Sequence, residues 1–456
     1  MQHRYMLRIS VLCLLALLYA GLAQKYRAYD IDNPWALSFS YNACHNGGET
    51  DTFGGLAYPS GMDGVHLFGK APAAIQCAVF NRTGWTPRSV VLLNVIFGLA
   101  SLLLWWLFLR RMGYRENWIA VFILMLGMTE PMVAMVEKAR YEFFTFFLLS
   151  LGLWLGVQGL ELAAVLVAAF AVETHPIAVV VPIVIVVFLA VRTKDWKRLA
   201  LKAVVSAGIA AAFYLYLHPH ALQEMAGHSG TAFNSYVFGG IWNAYFIQRH
   251  RHVPELIFLV IGALLYWAQQ AKIKDHTGMW LALTAGGLLF FQPHLNPAYA
   301  VYAMPFFLWV ALQAYDLSRK WIWVPALVFS GILLQYAYLY KINRHEGFGP
   351  QEFAAVGQRI TESERALGIQ DAQLNLCGDY SLWFAHPQNY STCSIPVQQS
   401  KLSNADLFLC FDAPLEAHGL SEPEYLSCSK INTVVPLREI SSLEVRGHLL
   451  HIEARR

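Results

Sequence analysis

Charge is what this chain has least of: 14% of its 456 residues are Asp, Glu, Lys or Arg, against 56% apolar, and the mean hydropathy is +0.40. Soluble domains carry about 25% charged residues, so composition excludes an ordinary water-soluble protein and assigns the chain to the integral membrane class. The formal net charge is only +3, and the basic residues lie in short clusters between apolar stretches. Without one continuous basic patch, nucleic acid is excluded as a partner. Also missing are an internal repeat, a low-complexity tract, a glycine-rich nucleotide loop and a Cys/His spacing of the zinc type.

What is present is a series of apolar stretches. A span needs about 20 predominantly apolar residues to cross roughly 30 Å of hydrocarbon. The chain offers about eleven candidates, at roughly 5–24, 89–109, 117–134, 141–159, 160–173, 176–191, 200–217, 253–270, 278–292, 297–315 and 321–340. With Met1 to Arg8 inside, the even-numbered spans should end inside, where Lys and Arg accumulate. Arg110, Arg111 and Arg115 fit this, as do Arg192, Lys194, Lys197, Arg198 and Lys202, then Lys272 and Lys274, then Arg319 and Lys320; the fourth span ends without basic residues. The first span, with a basic start and the small residues Gly21 and Ala23, also fits a cleavable signal peptide. The acidic stretch that follows favours a retained anchor.

This orientation puts residues 25–88, residues 218–252 and everything after about 341 outside. Four cysteines of the tail (Cys377, Cys393, Cys410, Cys428) and two of the first loop (Cys44, Cys77) then lie where disulfides are permitted, with their pairing open. Residues 341–456 lack a membrane-length apolar run. GFGPQEFAAVGQRI (347–360) reads as a helix start. The short apolar runs in AQLNLCGDY (372–380), ADLFLCFDAP (405–414) and NTVVPLREI (432–440) read as strands. The expected fold class is an all-α polytopic membrane protein with a small C-terminal α/β extracytoplasmic domain. The domains are 1–340, membrane-embedded with a first outer loop at 25–88, and 341–456, outside.

A loop of that length inside a compact protein is usually functional. It opens on YDIDNPW (29–35), with Asp30 and Asp32 where apolar sequence meets water, and includes Glu49, Asp51 and Asp63. Any one such carboxylate is more often a solvated helix-end residue than chemistry. Lys70 is read equally well as an interfacial lysine reaching for water. Arg140, in EKARYE with Glu137, Lys138 and Glu142, fits an ion-paired turn, although basic residues outside run against the usual charge bias. His218-Pro-His220 and His250-Arg-His252, with His45, His66, His175 and His294, collect at the outer face; interfacial hydrogen bonding accounts for them better than metal ligation. Glu173 and His175 precede Pro176 at an outer helix end, where an acid, an imidazole and a freed helix N-terminus can meet a phosphate or hydroxyl.

Six segments carry a family resemblance. Gly69-Lys70-Ala71-Pro72 after apolar residues, Gly84-x-x-x-Arg88 before the second span and Arg110-Arg111-Met112-Gly113 at its end resemble the polyprenyl-phosphate-sugar-dependent glycosyltransferases of the GT-C superfamily. The branch is that of the protein mannosyltransferases and the lipid A aminoarabinose transferases. TEPMVAMVEKARYEFFTFFLLSLGLWL (129–155), VETHPIAVVVP (172–182) and HLNPAYAVYAMPFF (294–307), which holds His294 and Tyr299, are similar to later segments of that family. The chain departs from it in Asp32-Asn33 for Asp-Glu, in Arg140-Tyr141-Glu142 for Arg-x-Asp, and in Gly69 where some members have an acid.

The resemblance implies a sugar moved from a polyprenyl-phosphate donor to a hydroxyl of a cell-envelope lipid, glycan or protein. The setting it implies is a bacterial inner membrane, with the active site and tail on the periplasmic side. That chemistry needs a base for the acceptor proton and cations for the phosphate. Asp32, with Asp30 as the alternative, is the candidate base; Lys70 and Arg140 are the candidate cations. Glu142, Asp63, Glu173, His175, His294 and Tyr299 form a second rank. The partners are the bilayer, the lipid-linked donor and the envelope acceptor, and a divalent metal ion stays open as a cofactor. A transporter or flippase would show repeated halves and ionisable residues at mid-membrane. A noncatalytic assembly subunit would use the tail as a binding module.

Overall fold

The computed structural model describes residues 2–22, 32–45, 69–137, 141–193, 195–218, 239–242, 253–291, 297–318, 349–369, 374–378, 380–388, 390–392, 405–411, 428–432, 435–445 and 448–456. Most of them are helical. The order is α1 (Gln2–Leu22), α2 (Asp32–His45), α3 (Lys70–Thr83), α4 (Pro87–Arg111), α5 (Glu116–Gly127), α6 (Glu130–Glu137), α7 (Glu142–Val157), α8 (Glu161–Phe170), α9 (Val180–Arg192), α10 (Trp196–Leu217), α11 (Val253–Ala268), α12 (Thr277–Phe290) and α13 (Met304–Leu317). The tail adds α14 (Pro350–Leu367), α15 (Cys428–Asn432) and five strands.

Among the described residues α4 and α10 are each long and apolar enough to cross a membrane, and α5 and α6 together pass the same test with a bend of 60° between them. The bend falls where Pro131 follows Thr129 and Glu130, and proline cannot continue the hydrogen-bond ladder of the turn before it. The shorter apolar helices include Glu142–Val157, Glu255–Ala268 and Thr277–Phe290. The eleventh expected span, 321–340, lies outside the described residues.

Sequence sets these boundaries locally. Thr86 caps α4, its hydroxyl accepting from the Ser89 amide at 3.3 Å, and proline follows at the first helical position. The bundle packs around large aromatics, with Trp105, Trp106, Phe108, Phe122 and Trp309 fully buried and Trp105 edge-on to Phe306. Close approach elsewhere depends on small residues, as membrane helix pairs require. A Cβ on Gly262 of α11 would stand 2.5 Å from that of Ala311 on α13.

The two ends of the bundle differ. At one end the turn after α4 touches the end of α9, and through Gln313 of α13 it is linked to the α11–α12 connection. Arg192 lies over Met112, the Trp309 and Gln313 side chains donate to the Tyr114 hydroxyl, Gln313 reaches the Asp275 carbonyl, and Lys202 pairs with Glu161. Arg192 and Lys202, from the basic clusters that set the sequence-based topology, are among the residues at this end. Burial pushes the Tyr114 hydroxyl well above its usual range and keeps it a neutral acceptor.

The tail lies toward the other end. Its sheet has the order β2 (Tyr390–Thr392), β1 (Leu376–Gly378), β3 (Leu407–Phe411), β5 (His448–Arg455), β4 (Leu437–Val445), parallel across β2-β1-β3 and antiparallel across β3-β5-β4. Helix α14 covers it, starting where expected. Of the run 432–440 only the second half is strand. Asn432 ends α15 and its side-chain oxygen accepts from the Leu437 amide at 3.0 Å, so the chain turns around Pro436 before the strand begins. One apolar core joins tail and bundle: Phe353, Ile360, Trp383 and Leu450 pack with Leu37, Phe80, Val90 and Leu93 of α2, α3 and α4.

Candidate functional site

The first outer segment is not a plain loop. Two helices form within it, each with a proline in its opening turn (Pro34, Pro72), where the missing N–H costs nothing. They run in the same direction side by side. The Ser40 hydroxyl donates to Gln76 Oε1 at 2.6 Å, and one turn further on Cys44 is joined to Cys77 by a disulfide, with Cα atoms 5.9 Å apart. Both helices therefore begin at the same end of the pair, α2 at Asp32 and α3 at Lys70.

The start of α3 is held from elsewhere. Gly69, in extended conformation, provides no side chain to cap the helix. Glu173, 5% exposed, does so from the connection between α8 and α9. Its carboxylate accepts from the Lys70 amide at 2.6 Å and the Ala71 amide at 3.2 Å. His218, the C-cap of α10, places Nε2 3.4 Å from the same carboxylate.

More polar groups converge here. Tyr141, which caps α7, shares a 2.8 Å hydrogen bond with Ser40. The Thr145 and Thr174 hydroxyls meet. His175 Nδ1 accepts from the Ile177 amide at 3.2 Å, which leaves the proton of the neutral ring on Nε2, 3.4 Å from the Tyr299 hydroxyl. Ser40, Gln76, Tyr141, Thr145, Glu173 and Tyr299 are all buried. A buried polar cluster fed by several helix ends is costly unless its groups are paired, and here most of them are paired with one another.

Of the residues singled out from sequence, the structure brings Lys70, Glu173, His175 and Tyr299 together, and buries Glu142 in the first turn of α7. Asp32 opens α2; its side chain, and Asp30, Asp63, Arg140 and His294, lie outside the described residues. Sequence reasoning missed Ser40, Gln76 and Asn94. Asn94, in the apolar body of α4, donates to the Met135 and Val136 carbonyls at 3.0 and 3.2 Å, satisfying the end of α6 just before the segment that carries Arg140. A lone amide within a 25-residue apolar helix was its only signal.

Among the described residues one group of side chains has metal-ligand spacing, Cys410, Cys428 and Glu453 in the tail. Cys410 and Cys428 are joined in a disulfide, so the group does not fit a metal. Cys377 is disulfide-bonded as well.

No protein-family model and no curated protein matches the sequence. Among the solved structures that match the fold along its length are two of ArnT from Cupriavidus metallidurans. The structure bound to undecaprenyl phosphate gives a TM-score of 0.63 and the apo structure 0.61, each at 12% identity over 98% of this chain and 97% of theirs. The chain shares the fold of these ArnT structures. At such low identity the likeness belongs to backbone architecture, and at 98% coverage it includes the sheet-bearing tail as well as the helical bundle.

Proposed function

We propose that the chain is an integral membrane glycosyltransferase. It takes a sugar from a polyprenyl-phosphate donor, of the kind whose lipid phosphate is bound in the ArnT structure, and passes it to a hydroxyl of an envelope lipid, glycan or protein. The observation that supports this reading is the parallel pairing of α2 and α3, whose starts lie at one end of the pair, with the start of α3 held by the buried cluster around Glu173. Asp32 and Lys70 stand at those starts.

In the reaction the acceptor oxygen forms a bond to the anomeric carbon while the bond from that carbon to the phosphate oxygen breaks. The electron pair leaves with the polyprenyl phosphate, and the acceptor proton passes to the Asp32 carboxylate. Lys70 and Arg140 hold the phosphate as charge grows on its leaving oxygen. Residues 1–340 form the catalytic part and 341–456 an extracytoplasmic domain, in a bacterial inner membrane with the site on the periplasmic side. The disulfides of α2–α3 and of the tail agree with an oxidising compartment for both.

The test is transfer of radiolabelled sugar, hexose or pentose, from a panel of polyprenyl-phosphate donors into lipid, glycan and protein fractions by the purified chain in liposomes. Label in one fraction, dependent on Asp32, is the expected result. Label in none of them, with donor instead moving between leaflets, would replace the transferase with a flippase.

A further inference from the structure

Helix α3 has an unusual beginning. A helix leaves its first four amides without intrahelical partners, and a nearby Ser, Thr, Asn or Asp commonly serves them. Here the residue before the helix is Gly69, and the acceptor comes from Glu173, more than a hundred positions away in sequence. The contact is two-sided. The Gly69 amide donates to the Thr174 carbonyl at 3.2 Å, and a Cβ at position 69 would overlap the Glu173 carbonyl and stand 2.8 Å from Glu173 Oε2.

The gripping segment is itself pinned from several directions. Thr174 meets Thr145 of α7 and donates to the Ala171 carbonyl at 2.7 Å. His175 faces Tyr299, just ahead of α13. His218 braces the Glu173 carboxylate from the end of α10, with 5% of its side chain exposed. Glu173, Thr174 and His175, three consecutive residues, thus fix the start of α3 against α7, α10 and the approach to α13. The carboxylate bonds the amide of Lys70 itself, so the position of the Lys70 Cα follows the position of Glu173.

We infer that Glu173 is a positioning residue: its carboxylate is spent on the α3 amides, and it acts on the donor phosphate only through where it sets Lys70. This rests on the phosphate-binding role proposed for Lys70. An alternative fit to the same contacts is a stabilising helix cap that has no bearing on the donor. The two differ in whether the effects of Glu173 and Lys70 are coupled.

The experiment measures binding of undecaprenyl phosphate, together with kcat and KM for transfer, on the full-length protein in nanodiscs. The variants are Lys70→Ala, Glu173→Ala, Glu173→Gln and the double alanine variant. Lys70→Ala and Glu173→Ala should each weaken binding by about tenfold or more, and the double variant should be no weaker than Lys70→Ala within about twofold. Glu173→Gln keeps an acceptor for both amides and should recover most of the affinity, which the loss of a charge contact to substrate would not allow. If Glu173→Ala does not accumulate, His218→Asn replaces it, with a smaller loss that disappears in the Lys70→Ala background. Losses that multiply in the double variant would overturn the inference, as would a Glu173→Ala protein that binds normally. Normal binding by Lys70→Ala would instead remove the phosphate role on which it rests.

Discussion

Replacing Cys44 and Cys77 together by Ser should loosen the helix pair that carries Lys70 without changing any group at the site. The bridge closes a sequence separation of 33 residues. In the chain-entropy model a loop of that size removes about 12.5 cal/mol/K from the open ensemble, or about 3.7 kcal/mol at 25 °C. That is an upper bound on the change in local opening, because Ser40–Gln76 and the apolar contacts with the tail remain. Converted at about 1.4 kcal/mol per decade, it allows amide exchange in α3 to accelerate by up to roughly 500-fold. Hydrogen–deuterium exchange of peptides covering 70–83 reads this directly, with α9 as an internal control that should not change. If α3 exchanged at the wild-type rate in the serine variant, the disulfide would not be what holds the pair, and the pairing argument for Asp32 and Lys70 would lose its main support.

Asp32→Asn should keep undecaprenyl phosphate affinity and lose about 10²–10⁴ in kcat, as removal of a general base does. Asp30→Asn should transfer sugar at close to the wild-type rate, and the reverse pattern would exchange the two assignments. Lys70→Ala and Arg140→Ala should raise KM for the donor and lower kcat together, read in the same steady-state assay. Asn94→Leu leaves the Met135 and Val136 carbonyls without their amide donor, and should lower stability by about 1–3 kcal/mol, seen in the tryptophan-fluorescence unfolding midpoint. Reporter fusions after Ser318 and at Gly349 should report opposite sides of the membrane; the same side for both would remove the span expected between them.

The bundle was legible because burial in lipid imposes a composition, and α4, α7, α10, α11 and α12 fall within a few residues of the apolar runs. Helices α2 and α3 were not legible. DNPWALSFSYNACH and KAPAAIQCAVFNRT are neither apolar enough to read as spans nor cleanly two-faced, and their partners are each other and the distant tail. Lys70 and Glu173 were found separately, the first by the Gly-Lys-x-Pro pattern and the second by the acid before Pro176. That one grips the backbone of the other was out of reach, because an amide has no signature in sequence. Gly69 marked the place, since a contact that excludes a Cβ is one of the few close approaches a sequence records. Strand β5 was missed for a different reason: HLLHIEAR lies between a half-buried β4 and the buried β3, and its alternation is broken by that uneven environment.

The core shared between tail and first helices has a consequence for how the protein is made. Phe80 leaves the ribosome roughly 370 residues before Leu450, which covers it in the finished fold. At about 5–20 residues per second, that interval is on the order of 20 to 70 s. During it, every later helix of the bundle is made while the apolar faces that α2 and α3 turn to the tail lack that cover. A nascent chain stalled before α14 would therefore present to quality-control proteases an apolar surface that the complete protein never exposes, and should be removed from the membrane instead of persisting as a tailless bundle.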